Sequence, residues 1–224
     1  MRPPSMPQST LRRPLNAILG SEGHVRVLRE LARHGGELGA ADTAARAGLS
    51  PQHVRGVLAH LVGLTLVDEL GSGRTRLYRL RTTHPLAGPI EALFEAEERR
   101  FAALLGAVRE AAGAVRPHPA AVWLYGSVAR GEDSPASDVD VVVLAEAQLV
   151  GAVVGQMREL LRPTADDLGV VLALVGAAPA DVRRAEAGDP WWAGVARDAI
   201  PIAGPGPKAL LAGLRAGAGR GAAA

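Results

Sequence analysis

The sequence predicts an α/β (α+β) protein in two parts, a small mixed sheet with helical cover preceded by a separate three-helix-and-hairpin unit. Three observations carry this. Apolar positions recur at helical spacing through the first third of the chain, ending in two alternating runs joined by Gly71-Ser72-Gly73. Strand-like and helix-like patterns then alternate from residue 120 onward. Charge also divides: residues 1–83 hold 12 Arg against 6 Asp and Glu, whereas residues 119–224 hold 9 Arg and Lys against 12 Asp and Glu. The net charge of +2 conceals a basic front and a mildly acidic back.

Composition narrows the chemistry. At 224 residues with 48% apolar content the chain can bury a real core, but its 3% aromatic content means a core of Ala, Val and Leu. Cysteine is absent, which excludes disulfides, thiolate zinc sites and Cys nucleophiles. The longest apolar run, Leu168 to Ala180, is too short to span a bilayer, and no export segment is read at the N-terminus. The expectation is a cytoplasmic protein without a membrane partner.

Residues 1–15, with Pro3, Pro4, Pro7, Pro14 and the Arg12-Arg13 pair, read as a flexible arm. A helix is expected from Gly23 to about Arg33, stopped by Gly35-Gly36, and a short second helix from Ala40 to Ala47, closed by Gly48. Ser50 offers an N-cap and Pro51 the first position of a third helix, whose inner stripe is Val54, Leu58, Leu61 and Val62. Two alternating runs, Leu64 to Leu70 and Arg74 to Arg81, then form a hairpin. This order over 16–83 resembles the winged helix-turn-helix domains of bacterial transcriptional regulators. The resemblance implies a double-stranded DNA partner. Gln52, His53 and Arg55 would face base edges from the third helix, and Arg74 and Arg76 would reach the backbone from the hairpin. A docking or dimerisation module would carry the same elements, so the oligomeric state, dimer included, stays open.

Residues 84–114 read as a connecting amphipathic helix, its Glu97-Glu98-Arg99-Arg100 cluster expected on a solvated face. Lone histidines such as His24 show no metal-ligand spacing and are read as fillers. In the second part, strands are expected at 120–125, 138–144, 169–175 and 199–203. Helices begin at Ser127 and span Glu146–Leu161 and Pro179–Ala187. Trp191 and Trp192 are read as packing against the sheet in preference to stacking a base. The segment 206–224 is read as a C-terminal helix fraying into a Gly/Ala tail.

"YGSVARGEDSPASDVDVVV" is the informative stretch. Asp138 and Asp140 stand two apart at the start of a strand, so both project from one face. Two adjacent carboxylates repel, and burying them unpaired is costly; a divalent cation removes that penalty. Magnesium suits an all-oxygen site completed by substrate phosphates. Gly126-Ser127 stands at a strand-to-helix turn whose free N–H groups suit phosphate, and Arg130 could neutralise it.

These residues resemble the polymerase-beta-type nucleotidyltransferase superfamily, in particular its small bacterial "minimal" members. Gly126-Ser127 is followed by ten residues and then Asp138-Val139-Asp140, with Ala129-Arg130-Gly131 and Ser137 matching as well. Over 115–205 the resemblance implies nucleoside triphosphate held by Gly126, Ser127, Arg130 and Ser137, with two magnesium ions at Asp138 and Asp140. A nucleoside monophosphate would pass to an acceptor hydroxyl on a protein or RNA. The family usually adds a third Asp on the following strand, whereas "LGVVLALVG" at 168–176 has no acid. Asp166 and Asp167 could serve only if that strand began early. The absence motivates an alternative, a DNA-binding regulator whose degenerate domain senses nucleotide.

Overall fold

The computed structural model describes residues 9, 11–13, 19, 21–73 and 76–221. The chain divides into two units, Met1–Arg99 and Arg100–Ala224. The expected arm lies largely outside the described residues; within it, Arg13 pairs with Glu98 at 2.8 Å. No helix among the described residues is long and apolar enough to cross a membrane.

The first unit runs α1 (Glu22–His34), β1 (Leu38–Gly39), α2 (Ala40–Ala47), α3 (Pro51–Gly63), β2 (Val67–Leu70) and β3 (Leu77–Leu80). Local chemistry sets these limits. Gly35 and Gly48 end α1 and α2 in the left-handed conformation, which costs glycine little. The Ser50 side chain accepts from His53 N–H and caps α3, with Pro51 in its first turn. Val54, Val57, Leu58 and Leu61 are buried on α3 and meet Val27 and Leu31 of α1 and Tyr78 and Leu80 of β3 in one core. Val57 joins the stripe, and Val62 is only half-buried.

The hairpin is shorter than its alternating runs. Residues 64–66 form the exit from α3, with Thr65 at φ 58, and β2 begins at Val67. β1 is a short strand that the sequence pattern did not mark. It pairs with β3 to give the order β1-β3-β2.

α4 (Ala87–Ala114) is continuous across the boundary between the units. In the first unit it corrects one expectation. Glu97 is buried rather than solvated, because Arg29 of α1 holds it through Nε at 2.7 Å and NH2 at 3.0 Å. Phe94 covers that guanidinium at 5.2 Å. In the second unit, Arg100 and Arg109 of the same helix donate to the carbonyls of Leu168 and Ile202.

The second unit continues with β4 (Ala121–Tyr125), α5 (Gly126–Arg130), β5 (Val139–Leu144), α6 (Val150–Leu168), β6 (Leu172–Ala177), a 3-10 turn (Pro179–Ala185), α7 (Pro190–Asp198), β7 (Ile200–Ala203) and α8 (Pro207–Gly221). The sheet is mixed, in the order β6-β5-β4-β7, with β4 antiparallel to β5 and β7 and β5 parallel to β6. Ala121, Trp123, Val142 and Leu144 pack on one face against Val182, Trp192 and Val195, with Leu210 and Leu211 of α8 beside them. α6 lies on the opposite face, where a β-carbon on Gly176 would run into Val150 and Val154. The buried Trp123 indole N–H donates to the Pro205 carbonyl at 2.8 Å.

Three expected limits shift. α6 starts at Val150 and extends to Leu168, so it absorbs Asp166 and Asp167. α7 is an additional helix, opened by Asp189, which accepts the N–H groups of Trp191 and Trp192. α8 carries the Gly/Ala segment through Gly221, since alanine favours helix even where glycine interrupts it.

Candidate active site

The site is built where β4 turns into α5 beside the start of β5. β4 is apolar and buried until Tyr125, and the chain reverses at Gly126, whose φ of 76° lies in the left-handed region. The space there matters as much as the angle. A β-carbon on Gly126 would lie 3.1 Å from Asp140 Cγ and closer still to its carboxylate oxygen. The turn therefore exists in this form only because residue 126 has no side chain, and Asp140 occupies the space left open. Ser127 follows at the start of α5, where Tyr125 provides no side-chain cap, so the first N–H groups of the turn lack a side-chain acceptor from it.

Asp140 is the cross-strand partner of Tyr125 on one side and of Ala173 on the other. It is half-buried, and β5 begins only at Val139, so Asp138 is exposed immediately ahead of the strand. Burial, and then the negative charge of Asp138, raise the Asp140 pKa above the usual carboxylate value. Arg130 opposes that rise. The Tyr125 phenol is pushed up as well, by burial and then by Asp140. These effects describe a concentration of negative charge held partly out of water, which a cation would relieve.

The remaining predicted ligands are already engaged. Arg130 is exposed at the end of α5 and donates to Glu132 at 2.8 Å and to Asp198 at 3.3 Å. Arg197, and after it Arg130, hold the Asp198 carboxyl below its ordinary range. Ser137 closes a turn with Ser134, whose N–H donates to the Ser137 hydroxyl at 3.0 Å. Both lie close in sequence to the paired acids, and the bond from the Ser134 N–H leaves the Ser137 O–H as a donor.

Among the described residues, no third carboxylate joins the pair in a metal-holding group. In the parallel register Ala173 stands beside Asp140, with Val171 and Val175 as its neighbours on the same face. Asp166 and Asp167 are exposed on the last turn of α6, before Gly169 ends that helix. The early-strand route for them is thereby removed. Among the described residues, no group of three or more His, Asp or Glu side chains is arranged to hold a metal ion. Asp138 and Asp140 supply two anionic oxygen donors, which fits magnesium completed by phosphate oxygens, the usual way that ion is held.

Sequence reasoning missed Tyr125 and Ala173 as neighbours of Asp140, and Asp198 as the partner of Arg130. Strand register assigns the first two. The third requires a helix, α7, which the sequence pattern does not mark.

In the first unit, Gln52, His53 and Arg55 are exposed on α3, as predicted for them. Arg76 is exposed and pairs with Glu69 at 3.4 Å; Arg74 lies outside the described residues. His24, taken as a filler, instead borders a cleft of about 430 Å³ with Gln52, His53, Gly56, Val57 and His60. Its ring meets His60 edge-on at 5.2 Å, and Ser21 Oγ lies 2.7 Å from its Nδ1. Burial, then His60 and His53, lower the His24 pKa.

Residues 104–169 match the family model described as a nucleotidyltransferase domain. The match contains the Gly126 turn and both acids. No curated protein and no solved structure matches the chain.

Proposed function

We propose that the second unit transfers a nucleoside monophosphate from a nucleoside triphosphate to an acceptor hydroxyl, and that the first unit docks the protein on DNA. General nucleotidyl transfer is the function that the family match supports. The observation that carries the finer reading is the seating of the Asp140 carboxylate in the space above Gly126, with Asp138 two residues away.

Each residue has a task that its position supports. Gly126 allows the phosphates to approach the backbone, and the N–H groups at the start of α5 supply donors. Ser127 adds a hydroxyl donor at the same turn. Asp138 and Asp140 would hold magnesium, which supplies charge neutralisation at the phosphates and lowers the pKa of a bound hydroxyl. Arg130 would release Asp198 or Glu132 to meet the triphosphate. The acceptor belongs to a protein or an RNA on this reading, and its proton leaves to solvent, since Ala173 offers no base.

Transfer of label from α-labelled nucleoside triphosphates, with the Asp138→Ala/Asp140→Ala double variant beside the natural chain, is the direct test. Magnesium-dependent labelling lost in the variant is expected. Equal labelling by both proteins would overturn the reading.

A second reading is favoured by Ala173. With an alanine where a base would stand, the domain could bind nucleotide without turnover and report it to the DNA-binding unit. The element order of the first unit, α-β-α-α-β-β with an exposed polar face on α3, supports a winged helix-turn-helix. Nucleotide binding without label transfer, together with salt-dependent DNA binding that nucleotide shifts, would favour this version.

A further inference from the structure

We propose that the groove between β6 and α7, with Trp191 as its platform, is the subsite for the nucleobase of the bound nucleotide. The inference rests on the nucleotidyltransferase reading above and assigns the part of the substrate which that reading leaves unplaced.

Aromatic side chains are scarce here, with 3 Trp, 2 Tyr and 2 Phe in 224 residues. Tyr125, Trp191 and Trp192 nevertheless form one contiguous edge-to-face cluster, with Tyr125 beside Asp140. Trp191 meets Tyr125 edge-on at 5.5 Å and Trp192 edge-on at 4.7 Å. Trp192 is buried in the layer over the sheet, but Trp191 remains 39% exposed. Asp189 caps α7 by accepting the backbone N–H groups of Trp191 and Trp192, and Arg184 braces Asp189 at 2.6 Å. The helix start that carries the ring is thus fixed, while Tyr125 and Trp192 hold the ring at its edges. A large aromatic ring held rigid and left open to solvent is poorly explained by packing alone.

The ring opens onto a groove of about 350 Å³, within the size range of small-ligand sites. Val175, Gly176 and Ala177 of β6 form one wall; Asp181, Arg184 and Asp189 place polar groups at the rim. Val175 is also exposed, which is unusual for a strand valine beside a core. A groove of mixed lining, with tryptophan on one side and charged groups at the rim, suits a flat heteroaromatic ring that carries its own hydrogen-bonding edge.

Position ties the groove to the acids. Tyr125, which Trp191 touches, is the cross-strand partner of Asp140. Val175 lies two residues along β6 from Ala173, the other partner of Asp140, or roughly 7 Å at strand spacing. That is the reach from a base to the phosphates of the same nucleotide. Base–aromatic stacking tolerates any base, so the platform predicts weak discrimination among the four nucleotides.

The test compares magnesium complexes of the four nucleoside triphosphates with magnesium inorganic triphosphate, by titration calorimetry on the full chain. Trp191→Ala should weaken nucleotide binding by about tenfold or more and leave inorganic triphosphate unchanged, while Trp191→Phe retains most of the affinity. Val175→Arg fills the groove from the strand side, leaves the Trp191 residue itself in place, and should give the same selective loss. If the variants bind nucleotide like the natural chain, or lose nucleotide and inorganic triphosphate equally, the base lies elsewhere, and the phosphate site stands or falls on its own test. If the natural chain binds neither compound, both this subsite and the proposed function are overturned.

Discussion

The Asp140 carboxylate lies in the space that a side chain on residue 126 would fill, so Gly126 and Asp140 are in direct contact although one opens helix α5 and the other lies on strand β5. A side chain at residue 126 would displace that carboxylate.

Gly126→Ala is the sharpest probe of that contact. The substitution meets two obstacles at once, a φ of 76° that disfavours any β-carbon and the collision with Asp140. We expect a loss of about 1–3 kcal/mol in chemical denaturation followed by tryptophan fluorescence, which reports the second unit because all three Trp lie there. Displacement of Asp140 should also abolish magnesium–nucleotide binding. A stable Gly126→Ala protein that binds normally would show that the acid does not depend on the turn.

Asp140 itself should respond to pH and metal with a definite sign. Its folded pKa is raised, so the folded chain holds that proton more tightly than the unfolded chain does. Ionisation therefore costs stability as pH rises through the folded value, and acidification relieves the cost. Asp140→Asn should raise the thermal midpoint of the metal-free protein at neutral pH and remove magnesium stabilisation. Magnesium affinity of the natural chain should decline with acidification at a higher pH than an ordinary carboxylate site would require, because protons compete for Asp140. Scanning calorimetry with and without magnesium checks both signs.

Ala173→Asp asks whether the missing carboxylate limits the site. The parallel register puts residue 173 beside Asp140 on the same face, and Ala173 is only half-buried, so a small acid can be accommodated. Magnesium affinity should rise by about tenfold or more as a third oxygen donor joins the pair, and any label transfer should accelerate. An unchanged metal titration would mean that the Ala173 side chain points away from the cation.

Glu97 and Arg29 show where the sequence stopped being informative. Helix starts and stops were legible because their causes are local: Ser50-Pro51 opens α3 and Gly35 closes α1 within a few residues. The Gly-Ser and Asp-x-Asp signals were legible for the same reason. Glu97 was not, since four successive charges look solvated until a guanidinium 68 residues away is brought against one of them. The neighbours of Asp140 were hidden in a similar way. The connection from β4 to β5 is too long for its turn to set the register, so neither Tyr125 nor Ala173 could be assigned from spacing.

Glu97→Gln should be strongly destabilising for the first unit. It leaves the Arg29 guanidinium buried with its ion-pair partner neutralised, and burial already lowers the Arg29 pKa ahead of the support from Glu97. The expected cost is about 3 kcal/mol or more, read from hydrogen exchange of α1 amides, because tryptophan fluorescence does not report this unit. Replacing both residues, Arg29→Met with Glu97→Leu, should recover most of that loss. A Glu97→Gln protein with native exchange rates would mean that water reaches the pair.

His24 gives the first unit its own pH dependence. Its folded pKa is lowered by burial and by the His60 and His53 charges, so the unfolded chain accepts the proton first as pH falls. The stability associated with neutral His24 is present above the ordinary histidine value of about 6.5 and is lost as pH falls through the lower folded value. Protection factors of α1 and α3 amides, taken against the intrinsic exchange rate at each pH, should therefore fall from pH 7 toward pH 5. His24→Gln preserves a polar group near Ser21, removes the titration and should flatten that profile. The same acidification adds positive charge to the cleft beside Gln52 and His53, so DNA binding, if α3 is the reading helix, should strengthen in the natural chain and change less in His24→Gln. A His24→Gln profile as steep as that of the natural chain would assign the pH dependence to other groups.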